Sequence, residues 1–262
     1  MRIILSADDF GFSDHTVERT IACFDAGVLT SASIMANMPA TERAAAWAKA
    51  NGHHSFGVHL CFCTDDIERP VLPAGEFPAL VDAEGRFLGS NTMRWLGLLN
   101  RLPVDQIARE TEAQIARVRD LGVDLRYVDS HGHLHKFAPF REALVQVLPR
   151  FGIRRVRTAQ NVYLKKPLAS PTFWLGPVWG RAIARRFVTT RQFYMPGSAG
   201  DEHWAEPALA KLVAGRGTAE VGVHPGLEEA WRARDEHGAF AFAASARAAG
   251  HELIGWRDLE AD

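Results

Sequence analysis

From residue 2 to residue 256 the chain alternates short aliphatic runs with longer stretches of helical periodicity, and this alternation restricts the fold more than any other feature. "RIILSA" (2–7) reads as a buried strand, and residues 14–26 place Val17, Ile21 and Phe24 on one helical face before Gly27. The pattern recurs with a strand at 28–37, an alanine-rich helix at 40–50 and a strand at 56–62. After an irregular stretch come a helix at 104–121, a strand at 125–131, a helix at 138–151 and a strand at 153–159. Helices at 174–188 and 204–214, a strand at 219–226, a helix at 239–249 and a strand at 251–256 complete the series. Strands separated by helices cannot pair as hairpins and pair in parallel instead. The expectation is an α/β fold, a distorted TIM-like (β/α) barrel of seven or eight units forming a single domain over 1–262, with an open doubly wound sheet as the alternative. Residues 64–103, with "PVLPAGEFP" and "DAEGRF", break the rhythm and read as an insertion or lid.

Charge and cysteine content exclude several function classes. Lys plus Arg (30) nearly equals Asp plus Glu (31), so no global positive field favours nucleic acid or an anionic membrane. The opening "MRIILSADDF" meets charge too soon to be a signal peptide or a membrane span, which implies a cytoplasmic chain without integral membrane association. Cys23, Cys61 and Cys63 suit neither a disulfide framework nor a thiolate zinc site, and are expected to be reduced structural thiols.

Parallel α/β folds gather reactive groups where their strands end. Here those positions hold Asp8 and Asp9, His59, Asp129 and His131, Arg157, and His224. One carboxylate and two imidazoles from this set suit a divalent cation with positions open for water and substrate. Such a cation also accounts for two adjacent aspartates, since it neutralises one and leaves its neighbour free to take a proton. Adjacent strand residues point to opposite faces, so the pair divides its duties only if the chain turns at that point; the bland reading is a helix N-cap with a solvated neighbour. "DSHGHLHKF" (129–137) spaces three histidines at i, i+2 and i+4, about 7 Å per step if extended, too far for all three to hold one ion. His224 in "GVHPG" is placed to act as a general acid near neutral pH. Arg157 reads equally as an orienting group or as one more arginine of "RRVR".

"ADDFG", "GVHL", "DSHGHLH" and "VGVHPG", in that order across nearly the whole chain, resemble the signature series of the YdjC/ChbG-like carbohydrate deacetylases, including hopanoid-associated relatives. The resemblance implies a distorted (β/α) barrel and one divalent metal ion, magnesium or zinc. It implies removal of an N-acetyl group from an amino sugar, as an N-acetylglucosamine-type oligosaccharide or a lipid-linked glycoconjugate. Carried over by motif, Asp9, His59 and His131 match the metal ligands, Asp8 the general base and His224 the acid that protonates the departing amine. Asp129, His133, His135 and Arg157 fall beside the ligands or at the sugar site. Gly132 stands where relatives often carry a longer side chain, which touches substrate preference. Another metal-dependent hydrolase such as a phosphoesterase, or a non-catalytic sugar-binding or regulatory module, remains the alternative. Aromatic residues in 160–205 (Tyr163, Phe173, Trp174, Trp179, Phe193, Tyr194 and Trp204) read as packing or as sugar or lipid contacts, "WLGPVWGRAIARRFV" has the makings of a membrane-surface contact, and a homo-oligomer is compatible with the sequence.

Overall fold

The first strand is buried at eight of its nine positions, Arg2–Phe10 (β1), and lies inside the sheet. In the computed structural model, which describes residues 1–64, 67–168, 170–197 and 203–260, helix Asp14–Asp25 (α1) follows. Ser13 caps α1: its side chain accepts from the Thr16 N–H while Thr16 Oγ1 accepts from the Ser13 N–H. Next come Ser31–Ile34 (β2), Thr41–Ala50 (α2) and Ser55–Leu60 (β3). The 64–103 segment contributes a helix, Ser90–Leu98 (α3), then Val104–Asp120 (α4) and Leu125–Ser130 (β4) resume the alternation. Ala138–Val147 (α5), Arg155–Val156 (β5), Pro171–Ala184 (α6) and Gln192–Tyr194 (β6) follow. Ala205–Gly215 (α7), Ala219–Val223 (β7), Ala230–Ala248 (α8) and Glu252–Leu253 (β8) end the series.

All these strands pair in parallel, in the order β5-β4-β3-β2-β1-β7-β6, with β8 added to the start of β1. Among the described residues no regular ladder joins the outermost strands. The ends meet through a single bridge between Arg155 and Val188 and through the Asn161 and Val162 N–H groups donating to the Phe193 carbonyl at 3.3 and 3.1 Å. The result is a distorted barrel with an irregular seam between β5 and β6.

Period-2 alternation along β1 sets two layers. Ile3, Leu5 and Ala7 join the large apolar core under the helices, whereas Ile4 joins a separate cluster with Tyr127, Ile254, Trp256 and Leu259. On the face of Ile4 comes Ser6, whose hydroxyl meets Tyr127 Oη at 2.8 Å, and then Asp8. The inner layer therefore changes from apolar to charged toward the carboxyl end of the strand.

Several boundaries differ from the sequence expectations. β5 keeps two residues of the 153–159 run because, at the end of the series, it has a full neighbour on one side only. β6 gave no signal, since three residues are too short for periodicity. Helix α8 starts nine residues ahead of the predicted 239, and its polar opening faces charged partners rather than solvent alone. The run 131–136 is a 3₁₀ turn rather than strand, broken by Gly132 (φ 62°) and His133 (φ 56°) in the left-handed region. Residues 65–66 of the expected lid, 169 and 198–202 of the aromatic stretch, and 261–262 lie outside the described residues. Among the described residues no helix is long and apolar enough to cross a membrane, and no disulfide joins the three buried cysteines.

Candidate metal centre

The two aspartates diverge because β1 breaks its register between Ala7 and Phe10 against β2. Asp9 takes φ 57°, a left-handed conformation uncommon outside glycine and asparagine, and the Phe12 N–H closes a turn onto its carbonyl at 3.0 Å. Both carboxylates are buried, at 2% exposure, and each such ion costs several kcal/mol to desolvate unless it is paired.

Asp9 meets two imidazoles. Its Oδ1 lies 3.4 Å from His59 Nε2 and 3.2 Å from His131 Nδ1, and one donor atom from each of the three residues falls within 4.8 Å of the others. Its Oδ2 accepts from Arg232 Nη2 at 2.8 Å. Burial alone would raise the Asp9 carboxyl, but the hydrogen bond and charge of His131, with His224 and Arg232, hold it well below the ordinary carboxylate range. His59 sits opposite Asp129 in the β3–β4 register, and its Nδ1 is 2.7 Å from Asp129 Oδ1. A carboxylate only accepts, so the Nδ1 proton is fixed there and the Nε2 lone pair is left toward Asp9. Ser33 on β2 braces the pair, its Oγ donating to Asp129 Oδ2 at 3.0 Å.

Asp8 belongs to a different network. Arg157, fully buried just past β5, grips Asp8 with two bonds of 2.7 Å and reaches Asp129 Oδ2 at 2.8 Å and Glu220 Oε1 at 2.8 Å. Its guanidinium also lies over the Phe193 ring. Burial pushes the Asp8 carboxyl up, yet Arg157, His59 and His224 outweigh it and leave Asp8 below its usual value. One cation serves three carboxylates here. Burial, only partly opposed by Arg157, carries Glu220 up to about 7. Asp8, His59 and Asp129 also lie close enough to hold an ion, but Arg157 already fills the space between both carboxylates. The Asp9–His59–His131 set is the one with donors to spare.

His224 follows the last residue of β7, with Nδ1 3.0 Å from Asp235 Oδ2 on α8. Burial would lower its pKa, but the Asp235 hydrogen bond and the charges of Asp9, Asp235 and Asp8 raise it overall. His133 and His135 part company with His131. His135 Nδ1 is 2.7 Å from Ser130 Oγ, and burial drives its pKa down to about 3, so it braces the turn as a neutral ring. His133 is half-buried beside Phe193, its enclosed Nδ1 has no hydrogen-bond partner among the described residues, and desolvation, with Lys136, His135 and Arg157, holds it well below its usual value. It lines a pocket of about 580 Å³ with Gly132, Arg94, Trp95, Lys136 and Trp179.

Every site residue expected from the sequence thus falls in or beside one cluster. Arg232, Asp235, Ser33 and Glu220 were missed. Arg232 and Asp235 are legible only once α8 is known to begin at 230, after which both lie on its first turns behind "HPG". Gly226 makes room for the former, since a Cβ there would lie 2.9 Å from Arg232 Cδ.

A parallel barrel thus brings together an aspartate and two histidines that could hold a metal ion, beside a carboxylate held by an arginine. The chain belongs to the YdjC-like protein family, whose pattern matches residues 2–255. It is 35% identical over 159 residues to a carbohydrate deacetylase of Geobacillus stearothermophilus, covering 60% of each chain. It is 33% identical over 161 residues to the carbohydrate deacetylase of Mus musculus, covering 60% of this chain and 50% of the relative, so the match spans about half to three fifths of these curated relatives. The fold resembles an Enterococcus faecalis structure named for cellobiose-phosphate cleavage (TM-score 0.80, 19% identity, 98% of both chains). A lactam utilization protein of Thermus thermophilus is more distant (TM-score 0.53, 15% identity, 97% of this chain and 100% of that one).

Proposed function

We propose that the protein is a metal-dependent carbohydrate N-deacetylase that hydrolyses the acetamide of an N-acetylated amino sugar to acetate and the free amine. The observation that carries the reading is the division of labour between Asp8 and Asp9: one ringed by cations and ready to stay ionised, the other facing two imidazoles. Asp9, His59 and His131 would hold one divalent ion, and two nitrogens with one oxygen suit zinc or a similar borderline ion better than magnesium. Such an ion supplies Lewis acidity toward the acetamide carbonyl and makes water more acidic.

The remaining steps fall to the chain's own groups. Asp8, oriented by Arg157 through both carboxylate oxygens, takes the proton of the attacking water. Its lowered pKa makes it a weak base, but it is ionised throughout the neutral range. As the C–N bond breaks, the imidazolium of His224 passes its Nε2 proton to the departing nitrogen, while Asp235 keeps the Nδ1 proton in place. The pocket at Gly132, His133 and the aromatic walls Trp95 and Trp179 takes the sugar ring, apolar faces against rings and hydroxyls against polar edges. The deacetylase names of the relatives support this reading. A two-metal phosphoesterase is disfavoured because Arg157 already occupies the second carboxylate pair.

The test is acetate release from N-acetylglucosamine monomer, oligomers and lipid-linked forms, using stripped protein reloaded with zinc or magnesium. Release from one substrate class with zinc, lowered about a hundredfold or more in Asp8→Asn at unchanged metal content, is expected. Phosphate release from phosphoesters without any acetate release would overturn the proposal.

A further inference from the structure

The seam between β5 and β6 opens outward into a groove of about 1190 Å³, larger than the pocket beside the metal ligands. Arg154, Arg181, Arg185, Arg186 and Arg191 line it, and no Asp or Glu does. Among the described residues Arg154, Arg181, Arg185 and Arg186 have no carboxylate within ion-pairing distance. Several arginines elsewhere are paired, Arg19 with Glu236, Arg43 with Asp14 and Glu18, Arg150 with Glu112, and Arg232 with Asp9 and Glu229, while others bond backbone carbonyls; what sets the groove apart is four unpaired guanidiniums on one wall. With a net charge of −1 the whole chain offers no positive field of its own, so this cluster is a local device.

A second observation points the same way. Thr190 is 1% exposed and its hydroxyl has no hydrogen-bond partner, as is also true of the Thr189 hydroxyl; both residues line the groove. Buried hydroxyls are nearly always satisfied, and an orphan at the wall of a cationic groove is a donor awaiting an acceptor. Planar guanidinium forks with a neutral hydroxyl donor match the tetrahedral, multiply charged oxygens of phosphate better than a single carboxylate. We infer that the β5–α6–β6 groove binds a phosphate-bearing ligand, at a site separate from the metal ligands and independent of the deacetylase reading.

Such a phosphate has two sources, a soluble phosphorylated molecule or a lipid headgroup. Exposed Trp174 and Val178 precede Arg181 on α6 at helical spacing, an apolar margin that a lipid surface would use.

Titration of the full chain with inorganic pyrophosphate by calorimetry, and co-sedimentation with phosphatidylglycerol-containing against phosphatidylcholine-only vesicles, separates the sources. Binding to either probe, weakened by salt and reduced about tenfold or more in R181Q/R185Q, is expected. Thr190→Val should weaken binding about threefold or more without lowering Tm, since the lost hydroxyl bonds to nothing in the free protein. His131→Ala should bind as the wild type does. Binding to neither probe, equal binding by R181Q/R185Q, or a loss confined to His131→Ala would overturn the inference.

Discussion

The mouth of the barrel and its seam treat arginine in opposite ways. At the mouth Arg157 is enclosed by Asp8, Asp129 and Glu220, and Arg232 by Asp9 and Glu229, so both buried guanidiniums are matched by carboxylates. At the seam Arg154, Arg181, Arg185 and Arg186 stand without carboxylates among the described residues. The difference lies in where spare donors or acceptors remain. After internal pairing the mouth still presents an anionic oxygen and two imidazoles, an unmet demand for a cation. The seam presents guanidiniums and orphan hydroxyls, an unmet demand for an anion.

The largest effect should come from the mouth. Asp9→Asn or His131→Ala is expected to lower deacetylation about 10³-fold or more together with metal content, read by acetate release and elemental analysis. Asp8→Asn should cost about 10²–10⁴-fold in kcat at unchanged metal content, which separates the two neighbours by readout as well as position.

The pH profile sharpens the comparison next. On the proposed role His224 acts protonated, and its folded pKa is raised, so the rate is expected to hold below that pKa and to fall as pH rises through it. Asp235→Asn removes the hydrogen bond that most favours the imidazolium, and the alkaline limb of kcat should move to lower pH. An unmoved limb would remove His224 from the acid role. The same pairing stabilises the fold below the pKa of an unfolded histidine and is lost as pH rises through the folded value.

Asp129→Asn leaves the three donors in place but disturbs the Nδ1 proton of His59, and metal affinity should fall about 10–100-fold. The smallest effect belongs to the seam: R181Q/R185Q should leave kcat/KM on a small acetylated sugar within about twofold of wild type. A large loss there would join the two regions into one site.

Where side chains act through period and strand ends, the sequence was legible. Alternation placed β1 to β4 and β7, and the strand-end rule brought Asp8, Asp9, His59, Asp129, His131, Arg157 and His224 together before any coordinates. Three features escaped for physical reasons. The left-handed turn at Gly132 and His133 pulls His131 away from His133 and His135, and nothing in the period of a histidine run foretells it. The seam depends on strands of two and three residues, whose pairing is set by long-range closure rather than local propensity. Polar residues opening α8 resembled a loop because their partners, Asp9 and His224, lie across the barrel mouth.

The most direct measurement is zinc binding to stripped protein, comparing wild type with Asp9→Asn and Asp8→Asn. The account predicts one tightly held ion per chain in wild type and in Asp8→Asn, and its loss in Asp9→Asn. Tight stoichiometric binding that survives in Asp9→Asn but disappears in Asp8→Asn would contradict it.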